Sequence, residues 1–250
     1  RYENTLATVL QKMGLSAARR FYVRPPQEDG VWEKVNDEDA CVMEKYWCQL
    51  VEARIEHLGE AAVRTLADEL AKLKFDSWAK QLHKWRDGQA LPLCNRRGQR
   101  CTEIDLEVYI PQQHVFMNVP LVAVKEGTES MPLEGWLAQH VGRKLLIEVS
   151  SGRIADQSEI ARKRRQCTDM VAIAKHLPEH TVIILAYNGS DPLGIGTQER
   201  FAGFPGGTRC LWIKKNDVMS FETRLVTRRA QEREDQFRKQ VAVHYVVIIA

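Results

Sequence analysis

Acidic and apolar residues alternate through Glu103-Ile104-Asp105-Leu106-Glu107-Val108-Tyr109-Ile110. That is the period-two pattern of a strand with one polar and one buried face. A second apolar run, Leu145-Leu146-Ile147-Glu148-Val149-Ser150, carries a carboxylate near its end. A loop at 151–153 leads into a helix over about 157–176, and the apolar run 181–185 closes the unit as a buried strand. The rest of the chain is arranged around this stretch, 103–185.

Before it, 2–13 has helical periodicity, and 15–22 is expected to continue that helix. The proline-rich segment 24–30 is a connector. Asn36 or Asp37 can cap a helix running to about residue 58, in which Met43, Trp47, Val51, Ile55 and Leu58 recur at three- and four-residue spacing. Gly59 stops it. Two more helices are expected over 60–73 and 75–86. Trp78 and Trp85 on the second of these have the spacing of core aromatics rather than of a base-stacking platform. After the basic turn 95–100 and the acidic strand, 114–124 reads as one or two strands, with Pro120 at an edge or bend. Residues 125–132 read as a loop and 133–141 as a short helix ended by Gly142. Beyond the central unit, 189–207 is a glycine-rich loop without the spacing of a phosphate-binding loop. A last strand at 208–214 precedes a charged helix at 221–239 capped by Ser220. The apolar tail 244–250 can pair as an edge strand or pack on a partner.

These elements define an α/β fold with a central mixed sheet flanked by helices, an N-terminal helical region and a C-terminal charged helix. The expected divisions are 1–36 as a helical extension, 37–215 as the core (helices 37–87, sheet 101–214) and 216–250 as charged helix and tail. The 250 residues, 44% hydrophobic and 28% charged, suffice for one sizeable core. No apolar run approaches the ~18 residues of a membrane span. The six cysteines include no CxxC pair, which argues against a zinc ribbon and for reduced thiols in an intracellular compartment. Cys94 and Cys101, bracketing the basic turn, are the one pair placed to share a metal or a disulfide. The chain opens on Arg1 rather than Met, as a processed product or a piece of a longer chain would.

Candidate chemistry starts from the acids. A carboxylate at the end of a buried strand is costly unless paired or metal-bound, and Glu148 comes after three apolar residues. Asp105 on one strand, with Glu148 and the Val149 carbonyl on the next, is an oxygen set suited to Mg²⁺ or Mn²⁺. Such an ion polarises a phosphate and activates water for phosphodiester cleavage.

The order helix, strand with E-x-D, strand with apolar-E-V-x-S-G, basic helix and apolar strand resembles the PD-(D/E)xK restriction-endonuclease-like superfamily. The resemblance covers about 44–185, with 209–213 as a further strand. It implies a restriction-endonuclease-like sheet and catalytic roles for Asp105 and Glu148. It also implies Ser150 at the lysine position of (D/E)-x-K, and Glu44 or Glu52 as the acid of the preceding helix. Gln166 resembles the helix glutamine of some branches. Serine carries no charge, so the motif lysine is missing. On a helical wheel from Ile160, however, Lys163 falls inside the apolar stripe of Ile160, Cys167, Met170, Val171, Ala174 and Leu177, facing the sheet. It is placed to replace the lost cation; the bland counterpart is a lysine snorkelling from the stripe's edge.

The net charge of +3 is too small to specify nucleic acid, so local clusters must do so. Arg96, Arg97 and Arg100 precede the acidic strand; Arg143, Lys144 and Arg153 flank the second; Arg162, Arg164 and Arg165 line the helix. They are expected to gather at one end of the sheet. Three readings are open. The first is an RNA- or DNA-binding protein with a nuclease-like fold, degenerate in catalysis and a subunit of a larger assembly. The second is an active Mg²⁺-dependent nuclease using Asp105, Glu148 and Lys163. The third is a protein–protein scaffold, docking through the N-terminal helices or the apolar tail.

Overall fold

Helix α1 (Tyr2–Lys12) ends where Gly14 takes a φ of 83°. The Leu15 N–H then reaches back to the Leu10 carbonyl at 3.1 Å, a left-handed helix termination that turns the chain away. The next element is therefore a strand, β1 (Ser16–Val23), and not the continued helix that the sequence suggests for 15–22. The computed structural model describes residues 2–27, 29–52, 55–86, 89–116, 121–150, 157–188 and 203–249. At 2, 52, 55–57, 157–159 and 240–249 the backbone alone is described.

The short β2 (Glu33–Lys34) pairs with β1. Asn36 caps α2 (Asp37–Glu52) by accepting the Asp39 N–H at 2.9 Å. Helix α3 (Ile55–Lys72) is kinked at Gly59, whose φ of 62° and ψ of 161° break helical geometry at the expected place. Helix α4 (Asp76–His83) completes a helical layer that buries Trp78 and Trp85 against Phe21 and Val23 of β1.

Beyond it come β3 (Cys101–Tyr109), β4 (Ala123–Glu126) and β5 (Glu129–Pro132), then α5 (Leu133–Ala138). The segment 125–132 is thus a hairpin turning at Gly127, which has a φ of 56°, rather than a loop. Residues 114–116 are irregular, and 117–120, with Pro120, lie outside the described residues. The chain continues through β6 (Lys144–Ser150), α6 (Gln157–Ala174), β7 (Thr181–Tyr187), β8 (Thr208–Ile213), α7 (Lys215–Met219) and α8 (Phe221–Ile249). Over 244–249 the tail continues α8 and is not an edge strand. Of the glycine-rich loop, 189–202 lie outside the described residues.

The described strands make one eight-stranded mixed sheet in the order β2-β1-β3-β6-β7-β8-β4-β5. Its centre, β6-β7-β8, is parallel and largely apolar, as strands covered on both faces must be. Alternate residues of β6 and β7 go to opposite cores. Leu145, Ile147, Ile184 and Ala186 pack with Leu6 and Leu10 of α1. Leu146, Ile183 and Leu185 pack with Ile160, Cys167 and Met170 of α6. The expected helical extension 1–36 accordingly supplies two strands of the sheet, β1 beside β3 and β2 beside β1, as well as helix α1. Among the described residues no helix is long and apolar enough to cross a membrane. All six cysteines, Cys94 and Cys101 included, are free thiols.

Trp78 anchors the helical layer, fully buried, with its Nε1–H donated to the Pro92 carbonyl at 2.7 Å. Trp78→Ala is expected to lower stability by about 3–5 kcal/mol, measured as a drop in the urea midpoint. A loss below about 1 kcal/mol would contradict this packing, since cavities of that size cost more.

Candidate active site

Strand β3 carries an extra residue where it faces β1: Ala18 pairs with Glu107 and Arg20 with Ile104, two steps against three. The bulge re-aims the side chains around Asp105. On its other side, β3 pairs with β6 only from Tyr109↔Lys144 to Leu106↔Ile147. At the resulting fork Asp105 Oδ2 accepts the Val149 N–H at 2.7 Å, taking the place of a backbone partner. Asp105 and Glu148 thus each lie one residue beyond the last paired rung, Leu106↔Ile147, and both are buried.

Glu148 shares the face of Leu146, toward α6. There Lys163 lies on the buried stripe of α6, and its Nζ contacts Glu148 Oε1 and donates to the Val149 carbonyl at 2.7 Å. The α6 lysine therefore sits on two of the three oxygen groups expected to hold an ion. Glu148 Oε2 is buried without a hydrogen-bond partner among the described residues. Asp169, one turn and a half further along α6, accepts from Thr102 Oγ1 at 3.0 Å and pairs with Arg24. This pins the helix against the start of β3. Ser150 is buried at the next position of β6 facing α6.

Two acids not singled out by the sequence join this site. Glu3 lies one turn before Leu6 and Leu10 on the inward stripe of α1, and Glu103 precedes Asp105 by two on β3. The ligand oxygens of Glu3, Glu103 and Asp105 lie within 4.8 Å of one another. Arg19, from β1, runs between them: its Nη2 contacts Glu3 and its Nε stands 2.5 Å from Glu103 Oε1. A polar residue at an apolar helix position was the sequence signal for Glu3. Glu44, one of the two expected helix acids, is largely exposed and lies 4.0 Å from Arg19 Nη1. The side chain of Glu52 lies outside the described part of the structure. Among the described residues the helical acid of the cluster thus comes from α1, which precedes β1 in the chain.

Burial, then the neighbouring Asp105 charge, raises the Glu148 carboxyl well above its ordinary 4.5, against the opposing pull of Lys163. Burial and Asp105 likewise push Glu3 up to about 7, and Glu103 well above the usual range, with Arg19 opposing both. Burial works against the Lys163 and Arg19 charges, yet their carboxylate neighbours hold both pKa values above normal. The two directions in the Lys163–Glu148 pair are reconciled by charge count. Four acids (Glu3, Glu103, Asp105, Glu148) face two cations, so the cations stay charged and the surplus negative charge is what protonation or a metal must relieve.

The basic residues divide by the strand directions. Because β3 runs antiparallel to β6, the turn before β3 and the start of α6 lie at the site end. Arg97, Arg100, Arg162, Arg164 and Arg165 lie there. Arg162 bonds Gln166 at 3.0 Å, and Arg164 stacks over Phe204. Arg96 is engaged by Glu38 and Asp39 and lies over Phe75. Arg143 and Lys144 sit at the opposite end of β6, contrary to the expected gathering; Lys144 pairs with Glu179 at 3.0 Å. Arg153 and the small residues Ser151 and Gly152 lie outside the described residues.

The fold and site together define an α/β protein with a buried, acid-rich centre at the carboxyl end of its parallel strands. Comparison with protein-family models, with curated proteins and with solved structures gives no match.

Carboxyls raised in the folded state take up protons on folding, so their contribution to stability is complete below 4.5 and is lost as pH rises through the folded values. His140, lowered to about 4 by burial and by Arg209, acts in the opposite sense between about 4 and 6.5, but it stands against the three site acids, and burial raises Glu134 and Asp169 in the same sense as these. The metal-free protein should therefore unfold at lower urea at pH 8 than at pH 5.5, and Glu3→Gln should flatten that fall. An equal or higher midpoint at pH 8 would show that the acids are not mutually repelling.

Proposed function

We propose that this chain is a divalent-metal-dependent phosphodiesterase acting on nucleic acid, with Lys163 supplying the cation that Ser150 cannot. The observation carrying this reading is the contact of the buried α6 ammonium with Glu148 and the Val149 carbonyl, beside Asp105. Asp105, Glu148 and the Val149 carbonyl would hold Mg²⁺ or Mn²⁺; the surplus of negative charge, and a Glu148 Oε2 without a partner among the described residues, fit such an ion. When bound, it would polarise the phosphate and lower the pKa of a water. Lys163 remains charged and, held beside the ion by Glu148, would stabilise negative charge developing there. The arginines at the same end of the sheet neutralise backbone phosphates.

The order α1, β1, β3, β6, α6, β7 supports a restriction-endonuclease-like plan for the core. On that plan α2–α4 form one insertion, and the β4–β5 hairpin with α5 another. A second reading, binding without cleavage as a subunit of a larger assembly, has its own support: Lys163 occupies two oxygens that an ion would need. A protein partner could then dock on α8, where Val226 and Phe237 are exposed.

The test is incubation with single- and double-stranded DNA and RNA plus Mg²⁺ or Mn²⁺. Cleavage is expected, abolished by Asp105→Ala or Glu148→Ala and lowered about 10²–10³-fold by Lys163→Met. Salt-sensitive binding without cleavage, lost when Arg162, Arg164 and Arg165 become Ala, selects the second reading. Absence of any binding at low salt rejects both.

A further inference from the structure

The outer half of the acid cluster already contains a cation. Arg19 projects from β1 with its side chain only 9% exposed. Nη2 is on Glu3, Nε is beside Glu103, and Nη1 lies 2.7 Å from Cys48 Sγ. Its two carboxylate partners stand on different elements, α1 and β3, and their oxygens form one close group with those of Asp105. The fourth acid, Glu148, contributes an oxygen that is buried and unpartnered among the described residues. With all four carboxylates ionised, the buried groups Arg19 and Lys163 leave a surplus of two negative charges, and Arg162 acts on Glu148 from the exposed side of α6. One divalent ion cancels that surplus; a second would leave a buried excess of positive charge, which is costly.

We infer that Arg19 is a positioning residue that restricts the site to a single divalent ion. Its guanidinium fills the Glu3–Glu103 half and confines the ion to Asp105, Glu148 and the Val149 carbonyl. This role rests on the metal-dependent reading of the site. Two properties of arginine suit it. The fork of donors engages both carboxylates at once, through Oε1 of each, and the guanidinium keeps its positive charge, so this half of the cluster stays neutralised. Removing the guanidinium frees two carboxylates within reach of Asp105, which is the composition of a second oxygen site.

The experiment is Mn²⁺ titration of the intact chain, monitored by calorimetry and by electron paramagnetic resonance, for the wild type, Arg19→Met and Arg19→Lys. One ion is expected in the wild type and in Arg19→Lys. Two are expected in Arg19→Met, with the broadened spectrum of neighbouring Mn²⁺ ions. One ion in both the wild type and Arg19→Met overturns the role of Arg19 while leaving the metal-dependent reading intact, and so do two ions in the wild type. No ion in the wild type overturns both. Should Arg19→Met be unfolded in metal-free buffer, Mn²⁺ must restore its far-ultraviolet circular dichroism with two ions bound. Failure to do so, where Mn²⁺ stabilises the wild type, counts against the role of Arg19.

Discussion

A lysine ammonium removed from water needs a carboxylate beside it, and a carboxylate at the end of an apolar parallel strand needs a cation. In this protein each need is met by the other, through Lys163 on α6 and Glu148 on β6. The pair fixes the rotation of α6 over the sheet. It also brings the helix's arginines to the end of β6 where β3 diverges, and it leaves Asp105 free to cap the Val149 N–H. Without the lysine, Glu148 would be a buried charge among like charges.

That local arrangement needs the irregularity in β3. A regular strand would continue its ladder with β6 past Leu106 and turn Asp105 to one face. The bulge against β1 and the fork against β6 instead hold the carboxylate where the β3–β6 ladder stops and the β1–β3 ladder shifts register. Strand β1 is there because Gly14 ends α1 abruptly, and α1 in turn brings Glu3 back over the same junction. Elements far apart in the chain thus supply one charge-rich centre, and the parallel strands behind it supply the dry wall that makes its electrostatics strong.

The central strands were legible because period-two alternation and short apolar runs report burial directly: β3, β6, β7 and β8 fall within a residue or two of their expected bounds. The inward position of Lys163 was legible too, since helical periodicity alone puts it on the stripe of Ile160 and Cys167. Features that depended on tertiary neighbours stayed hidden. Ala17-Ala18-Arg19-Arg20 has helical propensity, and only its pairing with β3 makes it a strand. Glu3 belongs to the site through an interaction spanning about a hundred residues, so the helix acid was sought on α2, among the helices that precede β3 in sequence. The ends at which Arg143 and Lys144 fall were decided by the antiparallel register of β3 and β6, which composition does not carry.

The proposed metal site is the Glu148–Asp105 fork, which Lys163 shares. The most direct measurement is anomalous diffraction from a crystal of the protein soaked in Mn²⁺. A peak bonded to Asp105, Glu148 and the Val149 carbonyl is predicted, with the Lys163 ammonium shifted off that carbonyl. A Mn²⁺-soaked crystal with no peak between residues 105 and 148, and Lys163 still seated on both oxygens, would contradict it.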